Sequence, residues 1–362
     1  MMTPLDYAKA ACDTLMRRYA APDLPPQPQF HYHQGVFLSG MYQTYLLCQE
    51  EKYFQYMKDW IDSAFKPDGS IVYCHFANLD DIMPGILLFP ILDRTNDEYY
   101  IKCLDSVWEE VEAIPTTPEG GFWHGTSCTA QMWLDGLYMS GPFISEYAKR
   151  FNKPEWADKI VYNALMMRNK LHDPKTGLMY HAWDGRGEKE WAGPVHGRSS
   201  EFWGRSMGWV PVALLNDLDF LPEDHWGREE VIHMCTDLLK ALARYQSEDG
   251  RWYQVVDKGD QPGNWLENSC SCLYVAGLCK AMRRGYLPAE YGEAAKRGYE
   301  GVIRSLEWKG EDLQIGNGCI GTGGGDYEHY INRPTSVNDL HGAGAFLLMC
   351  TEMQLWLNTQ AK

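Results

Sequence analysis

The sequence lacks the signatures of much metal and nucleotide chemistry. It has no CxxC pair, no HExxH and no P-loop, which argues against zinc sites of the usual spacing and a Walker-type phosphate cradle. Positive charge is scarce: 33 Lys and Arg stand against 49 Asp and Glu, a formal net charge of −16. A nucleic-acid binder needs a basic field to neutralise phosphates, so nucleic acid is excluded as a partner. Long apolar runs are missing as well. The longest, Ile82 to Leu92, holds two prolines and is too short to span a bilayer, so no membrane partner is expected. The first residues show no basic stretch leading into an apolar one, as a secretory signal would. Cysteine is present, but the 11 residues are odd in number and scattered from Cys12 to Cys350. That pattern reads as reduced core residues and not as a disulfide framework. The expected location is cytoplasmic.

What the sequence does have is helical periodicity and aromatic residues. Aromatics make up 13% of the chain, with 14 Trp and 22 Tyr, too many for a disordered protein and suited to an aromatic-lined site. About twelve segments carry apolar residues at helical spacing, near 4–20, 34–49, 51–66, 79–93, 96–113, 128–149, 154–171, 201–217, 227–245, 265–283, 288–306 and 336–357. Between alternate helices comes a turn with a glycine, then a short β-prone run. The copies are Lys66–Tyr73, Pro118–His124, Asp173–His181 and Glu248–Tyr253, with Gly69, Gly121, Gly177 and Gly250 as their glycines. A repeat of roughly 60 residues fits the chain about six times. Six helical pairs that cannot each bury an apolar stripe alone predict an all-α fold, an (α/α)6 barrel over residues 1–362 as a single domain. A solenoid that never closes is the other arrangement of such pairs. Small residues beside aromatics, as in Leu38-Ser-Gly-Met-Tyr42 and Val275-Ala-Gly-Leu278, fit close helix packing. The loops would gather at one mouth, where a cleft is expected.

Four segments could carry chemistry. Asn78-Leu-Asp-Asp-Ile-Met-Pro-Gly85 opens a helix, and Asp80 or Asp81 could cap it. Gly121-Phe-Trp-His-Gly-Thr126 leads into a segment in which Asp135 sits amid an apolar helix, beside Gln131, Tyr138 and Met139. A carboxyl there is either bonded to a neighbouring helix or desolvated into a general acid. In Ser199–Trp209 the residues Phe202, Arg205 and Trp209 share one helical stripe. Arginine with tryptophan four residues on can hold a carboxylate and stack a ring; the plainer reading is a packed aromatic helix with a surface arginine. Met179-Tyr-His-Ala-Trp183 reads as an exposed aromatic loop with one histidine. The glycine run Gly316–Gly325 lacks the Lys-Ser/Thr of a phosphate loop and reads as a flexible loop near the mouth.

Together, Leu79–Gly85, Gly121–Thr126, Trp133–Phe143, His196–Trp209 and Val337–Leu348 resemble glycoside hydrolase family 105, the unsaturated rhamnogalacturonyl hydrolases. The resemblance implies an (α/α)6 barrel with no metal or other cofactor. It implies an oligosaccharide substrate ending in a 4,5-unsaturated uronic acid, as pectin lyases leave behind. On matching positions, Asp135 corresponds to the general acid/base and Asp80 to the second carboxylate, with Asp81 beside it as the competing choice. His124, His181, Arg205 and Trp209 correspond to substrate-contacting positions, Trp203 to a residue of the same cleft, and Tyr32 or His33 to a subsite tyrosine. Arg205 would hold the uronate carboxylate, and Asp80 would tune Asp135 by like-charge repulsion. Pairing of two copies through outer helices is a further possibility. The competing readings are another sugar-active (α/α)6 enzyme, an inverting glycosidase or epimerase, a hydrolase of a different unsaturated uronide, and a non-catalytic sugar-binding barrel.

Overall fold

A computed structural model describes residues 2–27 and 29–360. The helices divide by composition into two kinds. Helix α3 (Glu51–Ala64) buries Tyr53, Phe54, Met57, Trp60 and Ile61 on one side and exposes Glu51, Lys52, Gln55 and Asp59 on the other. Helix α10 (Asn268–Arg283) is buried continuously from Asn268 to Ala281. A one-sided apolar stripe belongs at a surface, and an all-round one in an interior. This difference sorts the chain into an outer and an inner ring.

The outer ring contains α1 (Pro4–Arg18), α3, α5 (Tyr99–Ala113), α7 (Glu155–Leu171), α9 (Arg228–Arg244) and α11 (Gly292–Arg304). The inner ring runs through α2 (Tyr32–Cys48), the short turns Leu79–Asp81 and Met83–Leu87 with α4 (Leu88–Thr95), α6 (Gly136–Arg150), α8 (Gly204–Phe220), α10 and α13 (Leu340–Gln360). Each inner element packs on the next, and α13 packs back on α2. The ring is therefore closed, as an (α/α)6 barrel requires, and the open solenoid is ruled out. Close approach within the ring depends on small residues. A Cβ built on Gly40 would stand 2.5 Å from Leu347 of α13, which is far inside van der Waals contact.

A hairpin-like turn follows each of α3, α5, α7, α9 and α11 and leads into an inner element. The turn glycines Gly69, Gly120, Gly177, Gly250 and Gly310 all have positive φ. In the second copy the left-handed residue is thus Gly120 and not the Gly121 singled out in the sequence. Four small antiparallel pairs decorate the same end. They are β1 (Gln131–Trp133) with β2 (Ala182–Asp184), β3 (Trp252–Tyr253) with β4 (Leu266–Glu267), β5 (Glu307–Lys309) with β6 (Asp312–Gln314), and β7 (Gly318–Cys319) with β8 (Thr335–Ser336). A short helix, α12 (Tyr327–Ile331), precedes β8.

Several expected helices begin later than their apolar spacing indicates. The stretch 128–135 contains β1, and α6 starts only at Gly136; α10 starts after β4, and α13 only at Leu340. A short apolar strand and a helical turn look alike by periodicity, so the reading ran on into the extended residues at the mouth. The segment 79–93 is broken, because Pro84 and Pro90 offer no backbone N–H and leave short turns before α4. All 11 cysteines are free. No helix among the described residues is long and apolar enough to cross a membrane.

Candidate active site

The N-terminal ends of the inner elements converge where the hairpins lie. They bring His31, Tyr32 and His33 from the start of α2, Asp80 from the turn before α4, Asp135 from the start of α6 and Trp203 from the start of α8. These residues, with His124, Trp133, Met139 and the segment Gly321-Thr-Gly323, line a cavity of about 440 Å³ that also meets His329 and Arg333. Helix N-termini carry unsatisfied N–H groups and partial positive charge, so the convergence favours an anionic or hydroxyl-rich ligand.

Asp135 is not in mid-helix. It is the residue before α6, and its side chain makes no capping bond. Its backbone carbonyl takes the first helical bonds from Tyr138 and Met139, which fixes the residue while leaving the carboxylate free to face the cavity. Oδ2 stands 3.1 Å from His181 Nε2, off the line of a good hydrogen bond. His181 is fully buried; its Nδ1 is 2.8 Å from the Tyr330 hydroxyl, which accepts the Gly325 N–H at 3.1 Å. The Tyr330 hydroxyl can donate to Nδ1, which leaves Nε2 as the ring nitrogen on the Asp135 side. His181 therefore stands directly behind the Asp135 carboxylate. The Met179–Trp183 segment is accordingly no exposed loop. It is largely buried and runs into β2, whose three residues are all buried and so show no alternation to read.

Asp80 and Asp81 point in different directions. Asn78 caps the turn, accepting the Asp80 N–H at 3.1 Å. Asp80 faces the cavity, with Oδ1 3.3 Å from His124 Nε2 and Oδ2 3.7 Å from His31 Nε2. Burial opposes its charge, but His124 and the nearby His31 and His341 outweigh that and hold Asp80 below the usual carboxylate range. Burial likewise works against a charged His124, and Asp80 outweighs it and raises the ring above its ordinary value. The His124 ring lies flat on Trp133 at 4.3 Å. Asp81 instead turns away and receives the backbone N–H and ring Nδ1 of His75; burial pushes it up to about 7. Asp80 is thus a counter-ion of His124, and does not act on Asp135 as an unpaired like charge.

Arg205 and Trp209 do not line the cavity. Arg205 is not a surface residue. It is 1% exposed, donates to the Cys319 and Ile320 carbonyls and lies over Trp203 at 4.9 Å. The strand β7 that ends at Cys319 leaves two carbonyls pointing at α8, and Arg205 satisfies them. Trp209 is one turn deeper, stacked on Tyr138 at 4.7 Å within the barrel core. Trp203 does line the cavity; its indole N–H is held by Gln254 at 3.1 Å.

A chain of contacts behind the cavity-lining Tyr32 was hidden by distance in sequence. His341 Nδ1 pairs with Asp339, and its Nε2 stands 2.5 Å from the Tyr32 hydroxyl. Of the two residues in doubtful register, Tyr32 is thus anchored through its hydroxyl. Burial pushes His31 down to about 4 and drives His33 and His341 down as well. The Gly316–Gly325 run is fixed at several points and is not a loose loop. Glu267 accepts the Cys319 N–H, Arg205 and Arg333 hold the carbonyls of 319 to 321, and Tyr330 holds Gly325. A GxSxG pattern, expected to be absent, is present as Gly204-Arg-Ser-Met-Gly208. Ser206 is fully buried in the first turn of α8 and donates to the Trp203 carbonyl; it is no strand-to-helix nucleophile. Among the described residues no three His, Cys, Asp or Glu side chains converge as metal ligands.

The chain is thus a closed double ring of helices with two carboxylates, Asp80 and Asp135, on a cavity at one mouth. The chain matches Glycosyl Hydrolase Family 88 over residues 7–357 and belongs to that family. It is similar to a glycoside hydrolase of family 105 from C. acetobutylicum ATCC 824, with a TM-score of 0.91 and 32% identity over 96% of this chain and 99% of that one. It is 25% identical to the unsaturated rhamnogalacturonyl hydrolase YesR of Bacillus subtilis (strain 168), over 78% of each chain. An unsaturated glucuronyl hydrolase from Bacillus sp. GL1 shares the fold at a TM-score of 0.65 and 15% identity, covering 88% of this chain and 85% of that one.

Proposed function

We propose that this chain removes a 4,5-unsaturated uronic acid from the non-reducing end of pectin-derived, rhamnogalacturonan-type oligosaccharides. The observation that carries the reading is the division of labour between two carboxylates on one cavity. Asp80 is committed to His124, whereas Asp135 meets a single ring behind it and otherwise faces open space. Two acids in contrasting environments have separable roles. The similarity to YesR supports the substrate class.

The terminal sugar is a vinyl ether, with its double bond between C4 and C5. Asp135, protonated, delivers its proton to C4. Positive charge then grows at C5 and on the ring oxygen, where the carboxylate just formed opposes it. Asp135 next takes a proton from a water molecule as that water adds to C5. The resulting hemiketal opens and releases a 5-keto-4-deoxyuronate and the shortened sugar. One carboxyl serves both steps because the first leaves it in the form the second needs. His181 orients it, and Asp80 with His124 offers an acceptor and a donor to sugar hydroxyls. Trp133 and Trp203 supply flat walls for the ring.

The test is a panel of unsaturated disaccharides, followed by loss of the ultraviolet absorbance of the C4=C5 bond without added cofactor. Turnover of the rhamnogalacturonan-derived compound is the expected result. Cleavage of the saturated analogue at the same rate would overturn the hydration chemistry, and a preference for an unsaturated glucuronide would overturn the substrate assignment.

A further inference from the structure

We propose that Arg333 is the residue that reads the carboxylate of the terminal uronic acid, the role that motif resemblance assigns to Arg205. The inference rests on the unsaturated-uronide reading and names the residue that would select it. Arg205 does not border the cavity, and its terminal nitrogens are engaged by the Ser269 hydroxyl and the Cys319 and Ile320 carbonyls. Arg333 borders the cavity. Its Nη2 donates to the Gly321 carbonyl, and its Nε has no partner. Arginine carries five N–H donors in a planar fork, so one tether leaves donors for a carboxylate while fixing where the fork sits.

The charges around the cavity leave little alternative. Among the described residues that line it, Arg333 is the one lysine or arginine. His31 and His33 are pushed toward the neutral form by burial, and the charge of His124 is answered by Asp80. His329 is pushed down by burial and by Arg333 itself, and its Nε2 meets the Thr322 hydroxyl at 2.6 Å. A uronate entering a space that already holds Asp80 and Asp135 needs a fixed cation to offset like charge. Arg333 precedes Pro334, which restricts its backbone to extended conformations and adds to its placement.

The test measures affinity apart from turnover. In an Asp135→Asn background, calorimetry compares an unsaturated uronyl disaccharide with its uronate methyl ester, which keeps the ring but loses the charge. The parent is expected to prefer the acid. Adding Arg333→Gln, which removes the charge, is expected to weaken the acid roughly 10- to 100-fold and leave the ester within about threefold. Arg333→Lys is expected to restore part of the preference. Equal weakening of acid and ester would reduce Arg333 to a structural support of the 316–325 segment, and an unchanged acid affinity would overturn the assignment outright. Because binding is read without catalysis, these outcomes stay distinct from a failure of the hydrolase reading, which the absorbance panel tests with the unmodified chain.

Discussion

Asp135 owes its exposure to the cavity to its place one residue outside a helix. Within α6 it would point along the helix surface; before Gly136 it projects beyond the first turn. Asp135→Asn keeps the shape and removes the transferable proton. Turnover of the unsaturated substrate should fall by about 10³-fold or more. Folding stability should change by no more than about 1 kcal/mol, because no capping bond is lost. Absorbance kinetics and urea unfolding check the two halves, and retained turnover would remove Asp135 from the mechanism. Asp80 allows a sharper test. Its carboxyl is depressed, so its contribution to stability is present above its unfolded value and is lost as pH falls through the folded one. His124 is raised, so its contribution is complete below its unfolded value and is lost as pH rises through the folded one. The pair therefore contributes most between about pH 4 and 6.5. Asp80→Asn should cost on the order of 1 kcal/mol in that window and less on either side, as urea unfolding across pH would show. The two aspartates and His124 were legible in the sequence because each sits in a short dense motif. The Asp339–His341–Tyr32 chain was not, since its members meet only when α13 closes on α2.

Elements explain what periodicity could and could not convey. Twelve apolar stripes were visible, and so was their pairing by glycine turns. The helix starts were not, and the starts are where the site lies. There the chain alternates strand, turn and cap within a few residues, and each apolar side chain serves the ring regardless of backbone type. Arg205 shows the same limit: its motif is conspicuous, but whether its guanidinium meets a ligand or a carbonyl depends on where β7 lies, far along the chain. The turns themselves are testable. Gly250 has φ +96° and a built Cβ there would stand 2.2 Å from the Arg297 carbonyl of α11. Gly310 has φ +64° and nothing within 4 Å. Gly250→Ala should destabilise by about 3 kcal/mol or more, combining backbone strain with a clash that backbone must absorb, whereas Gly310→Ala should cost about 1 kcal/mol. Urea midpoints of the two variants decide this; equal losses would mean that the Gly250 turn is not docked on α11 as described.

At the scale of the whole barrel the two ends differ. One end gathers helix N-termini and the cavity that Asp80 and Asp135 line. The other opens into a space of about 380 Å³ whose charges answer one another: Arg150 with Asp93 and Glu146, Lys280 with Asp219, Arg283 with Glu352. Near it, between α6 and α8, lies Asp217, 4% exposed and bonded only to the Ser145 hydroxyl at 3.1 Å. Gly141 abuts its carboxyl so closely that an added Cβ would stand 2.8 Å from Oδ2, and Lys280, the nearby cation, is paired with Asp219. Burial pushes Asp217 up to about 8. The sign of its linkage follows. Between the ordinary carboxylate range and pH 8 the folded chain keeps a proton that the unfolded chain releases, so this residue lowers stability as pH rises. Asp217→Asn cannot titrate and keeps the shape. Its stability relative to the unmodified chain should climb steadily from pH 5 to pH 8, by on the order of a few kcal/mol. Subtracting the two unfolding curves removes Asp81, Glu146 and the buried histidines, which titrate alike in both proteins and lie in separate networks. A difference that stays flat across that range would mean that Asp217 is ionised within the folded barrel and that α6 and α8 enclose a charge there.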